Sequence, residues 1–249
     1  MIATAVHSNE VYLTRPAPRK WAKFGGASDK CFPLGVDFMI QYSDEILDTN
    51  IAPGVSNFIA ADIPDMSTWA PESRFWIANY FLNTTFGARF APPMHAYAYN
   101  FLRRSLYAFK EHEQARSKTL EFLALRPPSP SHYAMALFHW ENYLAQCWHA
   151  YAILVTAWSG RAFEKNDGSV EQRLNALYNQ MKHVESRIDN GQMIPGATVP
   201  VWLEHDGLCS IDTRMTYTET GDVLKDLAKY ANVLMNPKTA GRNFNALDA

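Results

Sequence analysis

The stretch SHYAMALFHWENYLAQCWHAYAILVTAWSG, Ser131–Gly160, decides the fold. It follows the proline-rich turn Arg126-Pro127-Pro128-Ser129-Pro130 and meets no helix breaker until Gly160. An unbroken apolar run of this kind reads as one long helix closed by its glycine. At about 100° per residue, His132, His139, Asn142, Gln146, His149 and Thr156 gather on one narrow stripe. Nearly everything else is Ala, Leu, Phe, Trp, Tyr, Ile or Val, so the helix belongs at the centre of its bundle. Cys147 falls in the apolar part and reads as a small buried hydrophobe. Glu141 projects roughly opposite the stripe. A buried carboxylate must be paired or protonated. Glu141 is therefore a candidate binding residue, with an ion pair to an arginine of the preceding helix as its structural alternative.

That preceding helix is expected over Met94 to Leu125, introduced by Pro92-Pro93. Phe101, Leu102, Leu106, Phe109, Leu120 and Leu123 recur at helical intervals, whereas the charged middle, Lys110 to Lys118, is expected to meet water. Two long helices joined by so short a turn should pack antiparallel. Further upstream, Val36 to Leu47 reads as a short helix. Pro71 suits the first turn of another, which should carry Phe75, Trp76, Phe81 and Leu82 into the core and end near Gly87. Residues 1–35, with Pro16, Pro18 and Pro33, read as an irregular arm with a short strand at Val11 to Leu13.

Downstream, Ser169 and Gln172 form a capping box for a helix from Val170 to Asp189, whose apolar face is Leu174, Leu177, Met181, Val184 and Ile188. The period then changes: Val199, Val201 and Leu203 alternate, His205-Asp206-Gly207 turns, and Leu208, Ile211 and Met215 to Tyr217 return. Pro200 confines its strand to an edge. A last helix over Thr218 to Met235 and a loose tail from Asn236 complete one domain, 1–249. The expected class is mainly α: an antiparallel long-helix hairpin in a helical bundle, helical core 94–190, with a small β-hairpin over 199–217.

An apolar fraction of 47% against 19% charged residues supports a thick core and excludes general disorder. The net charge of −2 offers no global field for nucleic acid, so any polyanion must be held by a local patch. Cys31, Cys147 and Cys209 are odd in number and far apart, which argues against a disulfide framework and a metal site. His132 and His139 share a side, but a rise of about 10 Å keeps them from one ion. No metal and no cofactor are expected. The opening MIATAVHSNE lacks leader features, and no charge-free apolar window spans a bilayer, so the expectation is a cytoplasmic chain with no membrane partner. Phosphate-loop, zinc-protease, di-iron and nucleophile-elbow motifs are all absent from the sequence.

What remains is a polar trio, Asn179, Lys182 and His183. Asn179 and His183 are neighbours on a helix surface with Lys182 beside them. An imidazole flanked by a cation and an amide suits RNA phosphodiester cleavage, in which a base takes the 2′-OH proton and cations stabilise the phosphorane. A solvated polar face is the structural alternative. The long hairpin followed by Tyr178-Asn179-x-x-Lys182-His183 resembles the HEPN superfamily over residues 94 to 190. Catalytic members carry an Arg, a polar residue such as Asn next to it, and a His a few residues on. His183 and Asn179 match; Tyr178 stands where the family's Arg would be. Lys182 or Arg173 is then the substitute cation. Arg89 to His95 and Arg126 to His132 have the spacing too, but adjacent prolines interrupt both.

The resemblance implies a metal-independent RNase or a degenerate relative, acting in bacterial RNA metabolism or defence as a homodimer with His183, Asn179 and Lys182 at its site. Beside this stands a different class, a non-catalytic helical interaction module or accessory subunit that binds a protein partner. His139 and His149 on the stripe, with Glu141 and Arg173, are further candidate binding residues. A small-molecule pocket among Trp140, Trp148, Trp158 and His149 is a third expectation.

Overall fold

Proline bounds both long runs, and both become helices. The computed structural model describes residues 44–125 and 129–244, all within one unit. In order, these contain α1 (Asp44–Asn50), α2 (Ala70–Ser73), α3 (Trp76–Phe86), α4 (Met94–Ala124) and α5 (Pro130–Trp158). Then come α6 (Val170–Lys182), α7 (Val184–Asp189), β1 (Trp202–Leu203), β2 (Gly207–Cys209), β3 (Arg214–Thr216), α8 (Tyr217–Leu234) and α9 (Pro237–Phe244). The expected arm, its strand and Cys31 lie outside the described residues. The mainly α class holds.

Helices α4 and α5 lie antiparallel, as three cross-pairs running in opposite order establish: Arg104 with Gln146, Glu111 with His139, and Glu121 with His132. The polar stripe of α5 thus faces polar groups of α4, and most of its apolar circumference fills the core, whereas Met135, Phe138 and Trp158 are exposed, contrary to the expected central helix. Trp140, Tyr143, Leu144, Cys147 and Ala150 are fully buried. Helix α8 packs across the pair. Tyr143 donates to the Thr220 carbonyl at 2.7 Å, and His112 of α4 meets the Thr220 hydroxyl at 3.2 Å. Each of these helices therefore satisfies a buried polar group on another.

The β region is a three-stranded antiparallel meander in the order β1-β2-β3, one strand more than the expected hairpin. Pro200 precedes the edge strand β1, where its missing N–H costs no ladder bond. Gly207 is obligatory, because a Cβ there would stand 2.1 Å from the Met215 carbonyl oxygen. Tyr133 of α5 accepts from the Leu203 N–H at 2.9 Å and so anchors the sheet to the hairpin. Thr216 and Glu219 form a reciprocal capping box that starts α8 directly from β3.

Five expectations need correction. Residues 36–43 of the expected helix Val36 to Leu47 lie outside the described residues, and α1 runs on to Asn50. Around α3 only Trp76 of the four expected core residues is buried; Tyr80 and Thr84 join it at four-residue intervals, while Phe75, Phe81 and Leu82 face solvent. The charged middle of α4 is not all wet, since His112, Ala115 and Thr119 are buried. The expected helix 170–189 breaks at His183, because the segment beyond it buries no residue that would hold it against the core, and Ile188 is exposed. The tail is not loose up to Phe244: Asn236 caps the Lys238 N–H, Pro237 opens α9, and Ala240 is buried.

Candidate functional site

The capping hydroxyl of Ser169 accepts from the Gln172 N–H and starts α6, but the expected capping box is only half formed, since Gln172 Oε1 accepts from the Gly168 N–H. Leu174 and Leu177 then pin the helix to the core with no exposure. That orientation fixes the outward residues. Asn179, Lys182 and His183 are all exposed. The Asn179 amide donates to Asn175 Oδ1 at 3.1 Å, and His183 occupies the break between α6 and α7. Among the described residues no side chain bonds the His183 ring. The trio is therefore a surface feature, not a closed catalytic cleft.

Tyr178, at the position of the missing arginine, turns the other way along α6. Its ring meets His149 edge-on at 5.4 Å and lies 6.4 Å from Trp148, with its hydroxyl 3.5 Å from His149 Nε2. Trp148 also contacts Phe163 at 6.0 Å. Burial lowers the His149 pKa first, and the positive charges of Arg104 and Lys182 lower it further. Arg104, held at Gln146 three residues before His149, and Lys182, four residues after Tyr178, thus bring cations from two helices to the neighbourhood of this imidazole and its rings. Arg104 was not singled out from sequence. Its signal was the Arg103-Arg104 doublet, legible only once Gln146, to which Arg104 donates at 2.8 Å, is known to face it.

The other expected site residues have structural occupations. His139 Nδ1 lies 2.8 Å from Glu111 Oε2 in the hairpin seam. Arg173 pairs with Glu219, the carboxylate that also caps α8. Glu141 has no arginine partner among the described residues, contrary to the expected ion pair; burial alone raises its pKa. The expected aromatic pocket does not assemble: Trp140 packs in the core against Tyr143 and Tyr217, while Trp148 belongs to the surface beside Tyr178.

Among the described residues, no three His, Cys, Asp or Glu side chains gather to hold a metal ion, and no helix is long and apolar enough to cross a membrane. No family model, curated protein or solved structure matches the chain. Chemically, the α4–α5–α6 face offers two cations for phosphate, a half-buried imidazole, and rings for stacking.

Proposed function

We propose that the chain is a divergent HEPN-like protein that binds single-stranded RNA without cutting it. What carries this reading is the seating of Tyr178 against His149 and Trp148, with Arg104 held at Gln146 on the same stripe of α5 and Lys182 one helical turn beyond Tyr178. Single-stranded RNA is held by such pairings, with phosphates on cations and unstacked bases on aromatic faces. Each stacked base is worth about 1–3 kcal/mol, so two rings outweigh the weak overall charge. Cleavage would need a fixed cation to meet the phosphorane; Tyr178 supplies none. A role in bacterial RNA metabolism or defence follows from the same resemblance.

Fluorescence anisotropy with a labelled single-stranded RNA tests the proposal. The paired change Arg104→Ala and Lys182→Ala should weaken binding at least about tenfold. It should also flatten the dependence on log salt by about 1.4, at about 0.7 per neutralised phosphate. Binding that ignores both changes refutes RNA recognition by this face. RNA cleavage abolished by His183→Ala would instead establish the catalytic version, with His183 as acid/base.

A second reading, an interaction module that pairs with a second copy of itself, is favoured by α3. Phe75, Leu82 and Phe86 project on one side of this helix and are 59, 55 and 85% exposed. Segment 76–86 carries no charge, so a charged partner gains nothing there, whereas an identical uncharged stripe is complementary to it. Light scattering should show a dimer that Phe86→Asp with Leu82→Asp dissociates; a monomer at every concentration refutes it.

A further inference from the structure

On the opposite side of α4 from Arg104, a partly enclosed pocket of about 290 Å³ opens between the 63–67 loop, α2 and the middle of α4. Its size is near the lower end of the range for small-molecule sites. Met66, Leu106 and Phe109 make its apolar wall, while Arg74, Lys110 and Arg116 supply positive charge. Asp65 and Glu113 add carboxylates, and Ser67 and Ser73 also line it. None of this belongs to the α4–α5–α6 face.

The loop is tied down. Arg116 Nε donates to the Ile63 carbonyl at 3.1 Å, and its guanidinium stands 4.0 Å from Asp65. The Ser67 N–H donates to Asp65 Oδ1 at 2.8 Å and helps hold that carboxyl below its ordinary pKa, hence ionised. Arg116 and Asp65 therefore stand in place before any ligand arrives.

His112, which also lines the pocket, is only 1% exposed, and its tautomer can be assigned. The Thr220 hydroxyl has a single proton, which it donates to the Tyr217 carbonyl at 2.6 Å. Its contact with His112 Nε2 therefore requires the imidazole to donate. Nδ1 is left as a bare acceptor, with no partner among the described residues. An acceptor on a ring that lines the pocket suits a neutral O–H or N–H donor. An ammonium group would fit less well, because the three cations Arg74, Lys110 and Arg116 outnumber the carboxylates Asp65 and Glu113 in the lining.

We infer that this pocket binds a small hydroxylated anion, a sugar phosphate or a sugar acid. Hydroxyl groups donate to His112 Nδ1, Asp65 and Glu113 without charge conflict. The anionic end is met by Arg74 and Lys110 at the exposed mouth, and the carbon skeleton lies along Leu106 and Phe109. His112 stays neutral down to about pH 4, so its acceptor persists at physiological pH.

Isothermal titration of the full chain with ribose 5-phosphate, gluconate, ribose and inorganic phosphate decides the matter. At least one of the first two should bind with Kd below about 1 mM, and ribose and phosphate each about tenfold more weakly. Which of the two binds better distinguishes a phosphate from a carboxylate end. Arg74→Ala with Lys110→Ala alters only exposed side chains and should weaken binding about tenfold while RNA anisotropy stays unchanged. His112→Gln keeps a donor for Thr220 but shifts the acceptor away from the Nδ1 position, and should weaken the hydroxylated ligands but not phosphate. If neither hydroxylated anion binds below about 1 mM, if phosphate alone binds as well, or if the paired alanine variant binds normally, the inference is overturned.

Discussion

His112 sits edge-on to both Trp140 and Tyr143 and is held near pH 4, chiefly by burial and then by Arg116, with Asp65 partly opposing them. In the unfolded chain the same imidazole titrates near its ordinary 6.5. Between those values the unfolded state binds more protons, so acid favours unfolding. Above pH 6.5 the residue imposes no penalty; as pH falls toward 4 it should withdraw on the order of 3 kcal/mol. Urea melts at pH 7 and pH 4.5 should show this loss, and His112→Gln should flatten it. An equal acid loss in the variant would assign the titration to other groups. From sequence His112 was one member of a charged run, because nothing in the pattern of α4 says that a separate loop will cover it. Glu141 was legible as a half-buried carboxylate, but the absence of a partner was not. His183 was legible as a helix-surface residue and only the coordinates place it at a helix break.

Among the elements, α4 and α5 were legible to within a residue or so, since a long apolar period bounded by proline leaves little choice. The stripe on α5 explains itself once α4 is beside it. His132, His139 and Gln146 return to one side every seven residues and meet Glu121, Glu111 and Arg104. Partly exposed pairs of this type contribute up to about 1 kcal/mol each, so the seam fixes register more than it stabilises. Helix α6 was legible only as far as its buried leucines. Its attachment to α8 runs through Arg173 and Glu219, and Glu219 also accepts from the Thr216 N–H at 2.8 Å. Glu219→Ala should therefore cost about 1–2 kcal/mol, from a lost half of the capping box plus the ion pair. Arg173→Ala should cost up to about 1 kcal/mol and leave RNA binding intact, which separates it from Arg104 and Lys182. A double-mutant cycle by chemical denaturation should find the two residues coupled; additive losses would mean that the contact does not form in solution.

Among the described residues, a well-buried centre contrasts with a segment, α7, that is less well anchored. Helices α4, α5 and α8 share the fully buried residues and the Tyr143–Thr220–His112 contacts, whereas α7 buries none. This contrast could not be read from the sequence, where Val184 and Ile188 continue the apolar face of α6 without interruption. The α9 signal, by contrast, was present in Asn236-Pro237, a cap followed by a first-turn proline, and was obscured only by its place near the chain end. Openings of a native protein are graded by what each segment buries. Amide hydrogen exchange should accordingly find α7 exchanging first among helices of six or more residues and the centres of α4, α5 and α8 last, near the global unfolding limit. The proposed RNA face lies at the boundary, with Arg104 on the hairpin and Lys182 immediately before the break. Bound RNA should therefore slow exchange at the C-terminal end of α6 more than in α4, where little opening remains to suppress. Equal slowing across all helices would point to general stabilisation instead of a contact at this face.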